Sequence, residues 1–214
     1  MATNKVYGTP GQMSVFAAAA AAWVTSTVYA VGIVVTNSSS SYFCLTAHTS
    51  GTFATDLAAG KWVLVTATTF TPAGVATGAG RVSNSWNRGS GSQPMRYLWR
   101  LAANWVATPT AGDALRVYLL TSVDGATAAL SDGGIAPTDA AISSENQLLY
   151  DCMLIGAVIS DGTAAIRVTS GIVNIFSQYV YVAIWNAGAK SLTSTASDTV
   201  FTLVPVPDDI QAAS

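Results

Sequence analysis

The stretch "QYVYVAIWNAGAKSL", residues 178–192, alternates between two sets of apolar side chains along its first half. The two sets are Tyr179, Tyr181 and Trp185 on one side and Val180, Val182 and Ile184 on the other. Because successive side chains of a β-strand point to opposite faces, this alternation predicts a strand with two apolar faces. The Asn-Ala-Gly sequence at 186–188 then predicts a turn.

Several other apolar runs in the C-terminal part also predict strands. In "MRYLWRLAANW", residues 95–105, Tyr97 and Trp99 fall on one face, and Leu98 and Arg100 fall on the other. The further runs are "ALRVYLLTSV" (114–123), "LLYDCMLIGAVIS" (148–160), "TAAIRVTSGIVNIF" (163–176) and "TVFTLVPV" (199–206). The two runs on either side of Asp161-Gly162 predict a β-hairpin.

The N-terminal half contains a second group of strand patterns. Runs at 28–36 and 42–47, joined by the polar segment 37–41, predict a hairpin, and another strand is expected at 61–66. The segment 67–83 loses this periodicity and fills with Thr, Gly and Ala, which is typical of a linker. The predicted fold class is therefore mainly β. It has a small N-terminal aromatic-rich β module at 23–66 and a C-terminal antiparallel β-sandwich or jelly roll at 84–214.

Residues 1–22 are expected to form an N-terminal arm. The run "MSVFAAAAAAWV", residues 13–24, resembles the apolar part of a signal peptide, but it has a single preceding lysine and is shorter than the ~18 to 20 residues that cross a bilayer. We therefore expect no membrane insertion. The alanines at 17–22 favour a short helix.

The amino-acid composition indicates which kinds of molecule the protein can bind. Half of the residues are hydrophobic and 9% are charged, whereas roughly a quarter are charged in ordinary soluble domains. Such a surface favours contact with other protein subunits. The net charge is −2 and the nine Lys and Arg residues are scattered, which argues against nucleic-acid binding because phosphate neutralisation needs clustered cations.

The sequence offers little for catalysis, and we expect neither an enzyme nor a cofactor. His48 is the single histidine, so a His-cluster metal site is excluded. Cys44 lies four residues before His48, and that pair could form a nucleophile and base; a loop histidine bonded to backbone is the alternative. Cys44 and Cys152 are expected to be buried thiols, with a disulfide as the alternative.

The carboxylates mostly occupy positions that turns require. Asp124, Asp132 and Asp161 each precede a glycine, as in tight turns with positive φ. Calcium binding at these turns stays open. No spacing selects a pair of acids for glycoside hydrolysis.

The stretch from Trp23 to Trp62 resembles a small module of chitinase-type carbohydrate-binding domains, which is also found in tail and head-fibre proteins of tailed bacteriophages. The landmarks of the pattern stand at Trp23, Tyr29, Gly32, Val35, Tyr42, Cys44, His48, Gly51 and Trp62. The resemblance implies that Trp23, Tyr29, Tyr42, His48 and Trp62 bind a ligand or another protein. The alternative is that the aromatic rings supply the core of a module too small to build a deep one.

The remaining chain, including "GDALRVYLLTSVDG" (112–125), is similar in style to virion proteins of short-tailed phages. This resemblance implies a non-enzymatic virion component, namely a head decoration, collar or tail-adhesin subunit. It would be a homo-oligomer located in the virion and bound to capsid, portal/adaptor or tail proteins. The alternative function is an adhesin that recognises a host surface glycan.

Trp86 and Arg88 form a further candidate for binding another protein. They lie in an irregular Gly- and Ser-containing stretch and combine two residue types that are enriched at interface hot spots. The alternative is that Trp86 folds back onto the C-terminal domain.

Overall fold

A computed structural model describes residues 13–17, 20–89 and 94–206. The prediction of a mainly β protein is confirmed, with 45% of the chain in strands and 11% in helices. The strands are β1 Ser14–Ala17, β2 Ala21–Ala22, β3 Val28–Tyr29, β4 Val34–Asn37, β5 Ser40–Cys44, β6 His48–Thr49, β7 Trp62–Thr69, β8 Ala79–Val82, β9 Trp86–Asn87, β10 Arg96–Ala103, β11 Ala114–Ser122, β12 Ala140–Ile142, β13 Met153–Ile159, β14 Arg167–Asn174, β15 Tyr179–Asn186 and β16 Val200–Pro205. The helices are α1 Phe53–Ala58 and α2 Asn146–Asp151, with short 3-10 turns at Ala128–Leu130, Asp132–Gly134 and Ala196–Asp198.

Two sheets form a sandwich. The first sheet has eight strands in the order β14-β10-β16-β1-β7-β5-β4-β2. The second has the order β12-β8-β15-β11-β13, and β9 also pairs with β15. A small third sheet joins β3 to β6. The pairing is antiparallel except for β1 with β7 and β2 with β4, which are parallel.

The main core lies between the two large sheets, and the alternation in the sequence identifies its inner face. Tyr97 and Trp99 of β10 are buried in this core, whereas Leu98 and Arg100 are exposed, as predicted. Both faces of β15 are buried, because a second core with Tyr181 and Trp185 packs beneath α2 and the 3-10 turns. β15 is therefore the central strand of a layered structure.

The expectation of a helix at 17–22 and of a separate arm is wrong for the described residues. Ala17 belongs to β1, and Ala21 and Ala22 form β2. β1 lies inside the first sheet between β7 and β16, with Val15 and Phe16 fully buried. Tertiary pairing here overrides the helical propensity of alanine. Residues 1–12 and 18–19 lie outside the described part of the chain, and no described helix is long and apolar enough to cross a membrane.

The segment 67–83, expected to be a linker, takes part in the sandwich. β7 continues to Thr69, Phe70 is fully buried, and β8 begins at Ala79. β7 pairs with β5 through residues 62–65 and with β1 through residues 66–69. Because β1 also pairs with β16, this long strand and β1 together join the expected module to the expected sandwich within one sheet.

The hairpin of β4 and β5 is confirmed, with a tight turn at Ser38 and Ser39, both at positive φ. The strand expected at 28–36 is interrupted, since Gly32 turns at φ +94 between β3 and β4. The hairpin expected around Asp161-Gly162 is wrong. Gly162 does turn the chain, but β13 belongs to the second sheet and β14 to the first, so this connection crosses the sandwich.

Candidate functional site

The residues that carry the resemblance lie together in an aromatic cluster, which comprises Trp23, Tyr29, Tyr42, His48, Phe53 and Trp62. Trp62 is its centre: its ring centroid lies 5.1 Å from that of Tyr29 and 5.3 Å from that of His48, both edge-on. Phe53 contacts Tyr42 at 4.7 Å and Trp23 at 5.6 Å. These distances are those of favourable aromatic pairs, so the cluster is a small core.

The local fold explains why these rings meet. Tyr42 and Trp62 lie on β5 and β7, which are neighbours, and their side chains project from the same face of the sheet. Tyr29 and His48 are cross-strand partners in the small sheet of β3 and β6. Helix α1, capped by the hydroxyl of Thr52, brings Phe53 over the same face.

A buried carboxylate, that of Asp56, lies beside the aromatic cluster. Asp56 of α1 accepts hydrogen bonds from the backbone N–H of Gly51 at 3.0 Å and from Nζ of Lys61 at 2.8 Å. Its Oδ2 atom also lies 3.6 Å from Nε2 of His48. The hydrogen bonds from Lys61 and then from Gly51 lower the pKa of Asp56, so the group is held as the anion.

Asp56, Lys61 and Phe53 were not among the candidate site residues of the sequence. The signal that could have found them is the spacing His48-Thr-Ser-Gly51, Asp56, Lys61-Trp62 within the recognised pattern. An aspartate and a lysine five residues apart beside an aromatic pattern can pair with each other, but sequence alone does not show that Asp56 lies within α1 and also faces His48.

Cys44 and His48 approach each other without forming a nucleophile and base. Their Sγ and Nδ1 atoms are 3.9 Å apart, and both groups donate to the same acceptor, the carbonyl oxygen of Thr46. Cys44 is fully buried, and burial raises the pKa of its thiol. A substrate cannot reach a sulfur in this position, and the thiolate is disfavoured. The contact of His48 with a backbone carbonyl matches the alternative expected from the sequence.

The burial of the rings bears on sugar binding. Trp62 is 3% exposed and Tyr29 is 7% exposed, while Trp23, Tyr42 and Phe53 are half-buried. The side chain of His48 is 6% exposed. Stacking on a sugar needs a flat, open ring face, and Trp62 does not present one. The geometry favours packing as the role of this cluster.

Trp86 and Arg88 lie apart from the aromatic cluster, on the sandwich. Trp86 is buried in the main core against Phe16 and Tyr97. The guanidinium of Arg88 is buried, lies 5.2 Å from the ring centroid of Tyr97, and donates to the carbonyl oxygens of Ile175, Ser177 and Pro94. Both side chains therefore fold back onto the C-terminal domain, the second of the two alternatives.

Other polar groups serve turns and loops. Asp124 accepts N–H bonds from Ala126 and Thr127, in agreement with its expected place in a turn. Glu145 accepts hydrogen bonds from Arg116 and Tyr118. Cys44 and Cys152 are not paired in a disulfide. Within residues 13–17, 20–89 and 94–206, no group of three or more His, Cys, Asp or Glu side chains is arranged to hold a metal ion.

A polar pocket of about 250 Å³ lies at one end of the sandwich, where β11 ends and β15 begins. Its walls include Asp132, Ser177 and Gln178 together with the exposed side chains of Val123 and Leu130. Asp132 is oriented through Oδ2, which accepts hydrogen bonds from the backbone N–H and the hydroxyl of Thr121.

No protein-family model, no curated protein and no solved structure matches this chain.

Proposed function

We propose that this protein is a non-enzymatic structural subunit of a tailed-phage virion, in the role of a head decoration, collar or tail-attached adhesin. It acts by binding: a homo-oligomer attaches to capsid, portal/adaptor or tail proteins. The observation that carries the proposal is the nature of its surface. Large apolar side chains are exposed on several strands, while few charges are present to keep other proteins away.

The exposed apolar residues lie on strands of both large sheets. They include Leu98 on β10, Leu154 on β13 and Ile172 on β14. Monomeric soluble proteins rarely expose contiguous apolar patches above a few hundred Å², and larger patches mark interaction surfaces. Interface centres are also depleted in charged residues. A subunit that is covered by neighbours in an assembly accounts for both properties.

The aromatic cluster supports a structural role in the same way. Its rings and Asp56 fix the β4–β5 hairpin and α1 to β7, and β7 in turn pairs with β1 of the first sheet. Cys44 and His48 are buried within it. The pattern that resembles phage fibre modules thus acts here as a rigid extension of the sandwich.

Binding to particles tests the proposal. Purified protein is mixed with assembled particles that lack it, and co-sedimentation is measured as a function of protein concentration. We expect saturable binding at a fixed copy number per particle. The matched control uses particles that already contain the protein, to which no further copies should bind. Absence of saturable binding to the lacking particles, at concentrations where the protein is folded, would contradict the proposal.

A second candidate function is recognition of a host surface glycan, and the polar pocket favours it. Small polar ligands bind in concave sites that combine apolar walls with a few oriented polar groups. Asp132, Ser177 and Gln178 can exchange hydrogen bonds with sugar hydroxyls, and Val123 and Leu130 can contact the ring carbons. This function places the sugar in the pocket rather than on Trp62.

Glycan binding is tested by screening host envelope polysaccharides with three proteins: wild type, D132N and W62F. If the pocket binds sugar, D132N loses binding while its melting temperature stays near that of the wild type. W62F lowers the melting temperature and keeps binding. If the folded wild type binds none of the host polysaccharides, this second candidate function is wrong.

A further inference from the structure

The strand orders of the two large sheets end at four strands, and these differ in length and regularity. β2 and β12 have two and three residues. β13 has seven, but its register against β11 shifts between Val117 and Tyr118. β14 has eight residues in an unbroken register with β10. Short or irregular edges resist pairing with other chains, whereas a long regular edge is a template for it.

Among the described residues β14 pairs with β10 alone, and the hydrogen bonds of β10 show which backbone groups of β14 face away from it. The N–H of Ile175 donates to the carbonyl of Met95, and the N–H of Val206 donates to that of Arg96. Odd-numbered residues of β10 therefore bond to β14, and even-numbered ones bond to β16. Because alternate residues of an antiparallel strand face opposite neighbours, the N–H and C=O groups of Val168, Ser170 and Ile172 point away from β10.

The side chains of the same residues are exposed. Val168 is 50% exposed and Ile172 is 60% exposed, and Ser170 between them is also exposed. Leu98 lies beside Ile172 in the register of β10 and is 42% exposed. β14 contains neither lysine nor proline, which natural proteins place on edges to prevent pairing. Its single charged residue, Arg167, is engaged by Asp161 at the strand's start.

We propose that β14 pairs with β14 of a second copy of this chain, antiparallel and about a two-fold axis at Ser170. This register sets Val168 opposite the partner's Ile172 and Ser170 opposite the partner's Ser170. Apolar side chains then meet apolar ones, and the open backbone groups of both strands form a hydrogen-bonded ladder. A shift of two residues in either direction sets Val168 opposite Asn174 or Ser170 instead of Ile172. The interface is isologous, as expected for a symmetric dimer.

The neighbouring edge strand of the second sheet, β13, lies close to β14. Gly156 of β13 and Gly171 of β14 both lie against the indole of Trp99, so the two edge strands run along the same side of the sandwich. The exposed side chains of β13, Leu154 and Ile159, point to the outer face of the second sheet, because Leu154 pairs with Tyr118 of the second core. They therefore point away from Val168 and Ile172. In the proposed register seven residues of each strand, 167 to 173, pair and span ~23 Å, and the contact is expected to bury less than ~1,200 Å² in total, the size class of weak and transient interfaces.

The inference refines the homo-oligomer of the proposed function by naming the strand that makes it. Position-specific cross-linking tests the register with a short bis-maleimide, and wild type serves as the control because its cysteines, Cys44 and Cys152, are unchanged. We expect S170C to cross-link into dimers, because residues on the axis face each other at ~5.5 Å between Cα atoms. V168C alone should not, since the two copies of that position lie ~13 Å apart along the strands, whereas V168C/I172C should.

A charge exchange tests the energetics by sedimentation. V168K/I172K places like charges opposite each other and is expected to raise the dimer Kd at least ~100-fold. V168K/I172E places opposite charges together and should keep the dimer within ~10-fold of wild type. V123K is the matched control, since Val123 is also highly exposed but lies by the pocket. The melting temperature of each monomer checks the fold.

Three outcomes decide between the two proposals. Dimers that respond to charge and cross-linking as stated support pairing through β14. An oligomer that is unchanged in V168K/I172K overturns the β14 inference and leaves the proposed function in place. A wild type that stays monomeric at all concentrations overturns pairing with a second copy and the homo-oligomer of the proposed function; particle binding then decides separately whether the protein is a virion subunit.

Discussion

Asp56 is the anionic side chain that contacts the aromatic cluster, through His48, in the described part of the chain. Replacing it in D56N keeps an acceptor for the N–H of Gly51 but removes the charge that bonds Lys61 and faces His48. We expect D56N to unfold at a lower urea concentration at pH 7 with an unchanged slope. Urea unfolding monitored by tryptophan fluorescence measures the change.

The pH dependence of this effect has a definite sign. The pKa of Asp56 is lowered in the folded state, so its stabilising contribution is complete above the pKa of an unfolded aspartate, ~3.9. That contribution is lost as the pH falls through the lower folded pKa. The difference between wild type and D56N should therefore shrink below pH 4. D151N, which changes an exposed carboxylate, is the control; a difference for D56N that is constant from pH 7 to pH 2 would contradict the argument.

Arg88 is a second residue whose role is structural. In R88M the carbonyl oxygens of Ile175 and Ser177 lose their donor in a buried site, and each unsatisfied buried acceptor is costly. We expect the free energy of unfolding to fall by about 2 to 4 kcal/mol. R88K should recover only part of the loss, because an ammonium cannot match the planar fork of the guanidinium.

The control for R88M is R100M on the exposed face of β10. This change should alter stability by less than about 0.5 kcal/mol. If R88M were as stable as R100M, Arg88 would be free to serve an interface instead of the fold.

At the scale of elements, the sequence predicts which face of a strand is buried but not which strand it pairs with. The alternation around Tyr97 and Trp99 identified the inner face of β10, because a period of two is a local property. The Asp161-Gly162 turn was equally clear, yet β13 and β14 lie in opposite sheets. Two consecutive strands can be neighbours in one sheet or lie in two opposed sheets. The outcome depends on the side chains packed between them, which here include the indole of Trp99.

Trp99 fills the space between β13 and β14, and two glycines make room for it. A Cβ added to Gly156 would lie 2.6 Å from Cη2 of Trp99, and one added to Gly171 would lie 2.9 Å from Nε1. We expect G156A to reduce the free energy of unfolding by about 1 to 3 kcal/mol through overpacking. Chemical denaturation measures this change.

A second variant distinguishes overpacking from a general effect on β13. W99F shortens the ring, so the double variant W99F/G156A should lose less than the sum of the two single losses. Additive losses would show that Gly156 is required for another reason, such as the backbone conformation of the strand.

At the scale of the molecule, the sequence predicted the class of fold and the meeting of the aromatic residues, because both follow from local patterns. It did not predict that β1 and β2 would enter the first sheet, since Ser14–Ala17 is too short to show an alternation and the six consecutive alanines at 17–22 carry no period of two. It also separated residues 23–66 from the sandwich, whereas β7 pairs with β5 on one side and with β1 on the other, and β1 pairs with β16 of the sandwich. Long-range pairing of this kind leaves no mark on the local sequence.

The shared strand predicts that the aromatic module and the sandwich unfold together. Phe43 of the module packs in one cluster with Val15 of β1 and Val200 of β16, so opening the module exposes part of the first sheet. Native-state hydrogen exchange should give the same opening free energy, within about 1 kcal/mol, for amides of β4 and β5 and for those of β11 and β15.

A variant at the junction sharpens this test. F43L should lower the protection of both groups of amides equally, by about 1 kcal/mol, because one cooperative unit carries the loss. L45A, in the same region but at an exposed side chain, should leave both unchanged. If F43L lowered the protection of β4 and β5 alone, the module would open independently. The first sheet would then not unfold as a single cooperative unit.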